Sequence, residues 1–149
     1  MAIKSFRDLR VWNAAMDLVE HVYAVTGQFP REEIFGITSQ TRRAAVSVPC
    51  NLAEGHTREH RREYLQHVSV GQASLAELET LMEIAARLGY VSRPQCDPLM
   101  QDVGALGRQL YALRNALRKP PEGTPPRTKR FAPAPGPRPP APKSERNHR

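Results

Sequence analysis

Four stretches of the chain carry apolar residues at helical spacing, and none alternates with the period of two that a half-buried strand requires. In the first, residues 8–27, Leu9, Trp12, Met16, Val19 and Tyr23 recur every three or four positions, and Val11, Ala15, Leu18, Val22 and Val25 form a flanking row. Arg10, Asp17, Glu20 and His21 mark its wet side, and Gly27 and Pro30 end it. The second stretch, residues 38–55, is predicted to start at Thr38 as its N-cap. It has two apolar stripes: Ile37, Thr41, Ala44, Val48 and Leu52 on one side, and Val46, Cys50 and Ala53 on the other. Between them runs a polar line of Gln40, Arg43, Ser47, Asn51 and Glu54, and Pro49 interrupts the interior hydrogen bonding. The third, residues 59–88, has a heptad seam of Tyr64, Val68, Gly71, Leu75, Leu78, Met82 and Ala85, with a second row of Val70, Leu81, Ile84 and Leu88. After Gly89, Pro94 suits a first helical turn, and Leu99, Val103, Leu106, Leu110, Leu113 and Leu117 continue to Pro120-Pro121.

Short connections make successive helices antiparallel neighbours, so the expected fold is all-α, an up-down-up-down four-helix bundle over residues 1–118. The second and third helices offer more apolar surface than one bundle interior can cover, which predicts a homo-oligomer. The plain alternative is that Val46, Val70 and Leu81 are ordinary scattered surface apolars. Residues 119–149 hold ten of the fourteen prolines and almost no large apolar side chain, and read as a disordered, Pro/Arg/Lys-rich tail.

Charge separates the two parts. Residues 1–118 carry 14 Lys+Arg against 13 Asp+Glu, so of the formal net charge of +7 the tail holds +6. The two cysteines, Cys50 and Cys96, show no metal-like spacing and read as small apolar fillers. The N-terminus lacks an apolar leader, and no run approaches the ~20 apolar residues of a membrane span. A cytoplasmic protein without a membrane partner is expected.

Chemistry is hard to assemble from this sequence. His56-Thr-Arg-Glu59-His60 matches the H-x-x-E-H pattern of inverted zinc peptidases, but Gly55 and Thr57 place it at a turn and no third ligand follows. The Glu-x-x-His pairs of a dimetal bundle are missing, and Ser47, Ser69 and Ser74 have no paired His and Asp. No cofactor and no enzymatic activity are therefore expected. For Arg43, Ser47, Asn51, Glu54 and Glu77 the reading is an oligomer interface or a buried polar network whose members satisfy one another.

Positive charge gives the stronger signal. In an up-down bundle the start of the first helix, the second-to-third corner and the end of the fourth helix share one pole. That pole collects Lys4, Arg7, Arg10, Arg58, Arg61, Arg62, Arg114 and Arg118 against Asp8, Glu54, Glu59 and Glu63, net +4, with Lys119 and the tail leaving from it. Cations at the start of the third helix oppose its dipole, an arrangement suited to an incoming anion. Lys4, Arg7, Arg10, Arg58, Arg61, Arg62, Arg118, Lys119, Arg127, Lys129 and Arg130 are the expected nucleic-acid contacts, with RNA favoured and little base preference. The competing readings are a solvated pole that serves solubility, and an interaction ring that meets an acidic protein without binding nucleic acid.

Several separated motifs, in order, resemble a known family. They are Phe6-Arg-Asp-Leu-Arg-Val-Trp12, Phe29-Pro30, the run from Gln40 to Gly55, Glu77-Leu-Glu-Thr80 and Leu88-Gly-Tyr90. The resemblance is to the four-helix-bundle proteins encoded within intervening sequences of bacterial large-subunit ribosomal RNA, and it covers residues 3 to 118. It implies an antiparallel bundle assembled into homopentameric rings. It further implies kinship with the accessory protein of diversity-generating retroelements, which binds nucleic acid and a reverse transcriptase. One departure is Gly71-Gln-Ala-Ser74, where relatives carry Ala-x-Gly-Ser, so that close helix contact is expected to shift there.

Overall fold

The computed structural model describes residues 2–120 and residue 123. After a short 3-10 turn, Phe6–Asp8, come four helices: α1 (Arg10–Thr26), α2 (Ile37–Thr57), α3 (Arg61–Arg87) and α4 (Arg93–Arg118). Among the described residues there is no strand. Successive helices pack on one another, and α1 closes the circuit against α4. The interior is a single cluster in which Val22, Val48, Leu52, Val68, Leu78, Met82, Leu99 and Leu110 are almost completely shielded from solvent.

Three boundaries differ from expectation or are set by specific contacts. Thr38 is not the N-cap of α2 but lies inside it, buried, because the cap is Gly36. The capping role passes to the Glu33 carboxylate, which accepts the Ile37 N–H at 3.2 Å and the Tyr90 hydroxyl at 3.0 Å. A negative group at this end also complements the α2 dipole. Helix α3 starts at Arg61 rather than Glu59, since Arg58 and His60 are both extended. Helix α4 begins with Ser92 and Gln95 forming a reciprocal capping box, with Pro94 in its first turn.

On α1 the two expected rows exchange roles. Val11, Ala15, Leu18, Val22 and Val25 are buried. Of the other row only Leu9 is buried, whereas Met16 and Tyr23 are exposed and Trp12 and Val19 half-buried. Periodicity alone cannot choose between adjacent apolar rows. The slimmer Val/Ala row faces inward, and Trp12 stays at the edge against Phe6, ring centroids 5.3 Å apart. The α3 seam is inside as expected, except that Tyr64 is half-buried, and burial raises its pKa. Of the second α3 row, Leu81 is buried, while Val70, Ile84 and Leu88 are exposed.

Helices α2 and α3 meet most intimately where their side chains are smallest. A Cβ on Gly55 would lie 2.7 Å from the Tyr64 ring and 2.8 Å from the His67 Cβ, so no larger residue fits there without displacing those side chains. At Gly71 the nearest atom to such a Cβ is the Val48 carbonyl oxygen at 4.0 Å. The tight point is thus Gly55, at the α2–α3 corner, and not Gly71. Gly55→Ala is expected to cost ~1–3 kcal/mol through overpacking. Gly71→Ala should be neutral or stabilising by up to ~1 kcal/mol, as helix propensity favours alanine. Chemical denaturation of the two variants reads the contrast.

At the pole away from that corner, Glu83 accepts two bonds from Arg93, at 2.7 and 3.0 Å, and one from Arg87 at 2.8 Å. These arginines, Arg93 foremost, hold its carboxyl at about 2, below the usual 4.5. A depressed carboxylate contributes stability above its unfolded pKa and loses it as the pH falls toward the folded value. Glu83→Gln should therefore lower the melting temperature at pH 7, and the gap from wild type should close between pH 4.5 and about 2. Melts across that range check it.

Candidate nucleic-acid interface

The basic pole is assembled from three segments, each held by an identifiable contact. At the chain start, the Asp8 carboxylate accepts the Lys4 and Ser5 N–H groups, both at 3.0 Å, and fixes the 3-10 turn. Asp8 is thus committed to backbone donors while Lys4, Arg7 and Arg10 stay exposed. The Arg7 guanidinium lies 5.5 Å from the Phe6 ring centroid. Phe6, Arg7 and Trp12 share an apolar surface groove with Pro49, Cys50 and Ala53, which brings the start of α1 beside the last turns of α2.

The second segment is the corner between α2 and α3. Arg58, Glu59, His60, Arg61 and Arg62 are all exposed. Arg61 reaches across to the end of α4, donating from Nε to the Leu117 carbonyl at 3.0 Å and from Nη2 to that of Ala116 at 2.9 Å. Those are carbonyls of a helix C-terminus, which lack partners within their own helix and carry partial negative charge. The cation that opposes the α3 dipole is therefore matched to the opposite dipole of α4. This pair of bonds also places the third segment, Arg114 to Lys119, at the same pole. Arg114 donates to Gln72 Oε1 at 3.3 Å, and Arg118 and Lys119 are exposed.

Within the described residues, no ion pair involves Lys4, Arg7, Arg10, Arg58, Arg62 or Arg118. Arg127, Lys129 and Arg130 lie outside the described residues. His56 belongs to α2 and packs edge-on against Tyr64, centroids 5.9 Å apart, while His60 is the N-cap of α3. The H-x-x-E-H pattern is thus divided between two helices, and its histidines do not share one helical face.

The polar line of α2 is partly inside. Ser47 and Ser74 are joined by a 2.8 Å hydroxyl bond, and Asn51 donates to Ser47 Oγ at 3.1 Å and to the Ser47 carbonyl at 2.8 Å. Asn51 Oδ1 in turn lies 3.0 Å from His67 Nδ1, and Glu54 Oε2 lies 3.5 Å from the same nitrogen. Ser47, Asn51 and Glu54 therefore belong to this network. Arg43 and Glu77 are exposed and stand outside it, because each projects from the outer side of its helix. His67, which completes the chain, was not anticipated: only the packing of α3 on α2 makes it a neighbour of Asn51.

The fold and the motifs find relatives. A family model described as 23S rRNA-intervening sequence protein matches residues 7–112. The chain belongs to that family. The family match ends before Arg114 and Arg118 and leaves the tail outside it. A solved structure with the same fold is a protein of unknown function from the S23 ribosomal protein family of Bacteroides thetaiotaomicron. Similarity is 17% identity with a TM-score of 0.65 over 70% of this chain and 97% of that one. No curated protein matches. In this family member no described helix is long and apolar enough to cross a membrane.

Arg61 should behave differently from its neighbours. Arg61→Ala is expected to destabilise the bundle by ~1 kcal/mol, since it leaves two helix-terminal carbonyls without their charged donor. Arg58→Ala, with no such contact, should stay within ~0.5 kcal/mol of wild type. Urea denaturation of both variants distinguishes the brace from the exposed cation.

Proposed function

We propose that this protein is a non-enzymatic, self-associating accessory protein that binds nucleic acid, RNA in preference, through its basic pole. The observation that carries the reading is that the start of α1, the α2–α3 corner and the end of α4 come together with Lys4, Arg7, Arg10, Arg58, Arg62, Arg118 and Lys119 all exposed. Asp8 is occupied by backbone amides and, among the described residues, forms no ion pair. Exposed lysines and arginines favour contacts to phosphates rather than to base edges, giving low sequence specificity and steep salt dependence. The motif resemblance extends this to a homopentamer working in the cytoplasm beside a reverse transcriptase or another RNA-bound protein. Arg127, Lys129 and Arg130 add cations next to the same pole in sequence.

The test is a salt titration of binding to an unstructured RNA of ~30 nucleotides and to DNA of the same sequence. Binding that weakens steeply with salt, and is lost in Arg58→Glu/Arg62→Glu with the helical spectrum unchanged, supports the reading. No binding at low salt overturns it and leaves a protein-interaction ring. Arg61 is left intact in this variant, so that loss of binding cannot be blamed on loosening α4.

A further inference from the structure

A cleft of ≈350 Å³ lies at the pole opposite the α2–α3 corner, between the end of α1, the 3-10 turn Arg31–Glu33 and the first turns of α2. Its walls combine apolar Phe29, Pro30 and Ile34 with the polar side chains of Thr26, Thr38 and Arg42. Two of these polar groups are left with donors unengaged. Thr38 is 3% exposed, yet its hydroxyl has no hydrogen-bond partner among the described residues. The other two buried threonines donate to the carbonyl four residues earlier, Thr26 to Val22 at 2.7 Å and Thr41 to Ile37 at 2.6 Å. For Thr38 that carbonyl belongs to Ile34, which lies outside α2 at the end of the 3-10 turn, and the internal bond is not made.

Arg42 is aimed by its surroundings. Its Nε donates to Thr26 Oγ1 at 2.9 Å, and its guanidinium carbon lies 4.5 Å from the Tyr23 ring centroid. Thr26 is itself anchored on Val22, so the fork is held at one edge and on one face. Among the described residues, Nη1 and Nη2 make no hydrogen bond and Arg42 has no ion pair. The carboxylate nearest in sequence, Glu33, is engaged elsewhere, accepting the Ile37 N–H and the Tyr90 hydroxyl.

We infer that this cleft binds a carboxylate that carries a compact apolar group, with the carboxylate on Arg42 and Thr38 and the apolar group against Phe29, Pro30 and Ile34. A carboxylate takes two parallel N–H bonds in the plane of a guanidinium and has lone pairs left for a hydroxyl donor, which is the set of donors left free here. Phosphate suits the place less well, since Glu32 and Glu33 in the adjoining turn repel a second negative charge. The volume and the mixed lining are those of a small-molecule site, ~300–1,000 Å³. A free organic acid and the last residue of a polypeptide present the same chemistry. The site is remote from the basic pole and does not depend on nucleic-acid binding.

The test is a titration of the full chain with phenylacetate, followed by NMR of the Thr38 amide and the Arg42 Nε–H. Saturable shifts of both signals are expected. Phenylacetamide, which keeps the ring and loses the charge, should bind about tenfold more weakly or worse. Arg42→Lys keeps a cation but not the fork, and should weaken phenylacetate binding by about tenfold. Thr38→Val should weaken it by about fivefold. Without ligand, Thr38→Val should melt no lower than wild type, because the hydroxyl it removes has no partner in the protein. A tripeptide ending in phenylalanine with a free C-terminus separates the two sources: binding tighter than phenylacetate assigns the cleft to chain ends, and weaker binding assigns it to free acids. Shifts that never saturate or stay confined to the basic pole, acid and amide bound alike, or wild-type binding by both variants overturn the inference. So does a Thr38→Val protein that is less stable without ligand, since the hydroxyl then serves the fold.

Discussion

The close contact between α2 and α3 organises this molecule. Gly55 lets the last turns of α2 approach Tyr64 and His67, and the hydroxyl and amide groups of Ser47, Ser74 and Asn51 bridge the two helices farther along. Buried apolar contacts can slide along a helix with little penalty, whereas a chain of hydrogen bonds has only one satisfactory register. These few polar groups therefore set the relative heights of α2 and α3. The same contact holds the corner that carries Arg58 and Arg62.

The basic pole shows how one residue type can serve two ends. Arg61 commits its donors to the carbonyls of Leu117 and Ala116, converting an unfavourable dipole interaction into a favourable one and tying the last helix to the corner. Its exposed neighbours make no such contact and are available to an anion. Acidic residues at the pole are likewise drawn away from them: Asp8 to the 3-10 turn and Glu54 toward His67. Their charge still counts in the sum, but neither carboxylate folds over a neighbouring guanidinium, so the arginines keep their donors free. At the opposite pole Glu83 does the reverse work, joining α3 to the start of α4 through Arg87 and Arg93.

Much of this was legible in the chain. Helix number and type, the α2 stripes, the α3 seam and the α4 core row all follow from a 3.6-residue period over long segments, where the pattern repeats often enough to be unambiguous. The polar line on α2 announced a polar contact, since serine and asparagine at helical spacing amid alanine and valine need partners. Arg43 belonged to that line by spacing and yet points outward, and Glu77 does the same on α3, because a helix face some 100° wide contains both a packed edge and a wet one. The inversion of the two α1 rows has the same origin: both were apolar, and neighbouring helices chose between them by bulk.

What the sequence determined by itself was therefore every property carried by local periodicity and composition: four helices, their order, their apolar sides, and an excess of cations near three chain segments adjacent in an up-down arrangement. The tertiary structure alone decided that His67 completes the chain from Ser47 and Asn51, that Arg61 braces α4 and that Glu33 caps α2. Each of these depends on the height of one helix against another, or on a side chain crossing between separate elements. No spacing within one helix encodes such a distance, because it is fixed by the sum of contacts on both partners.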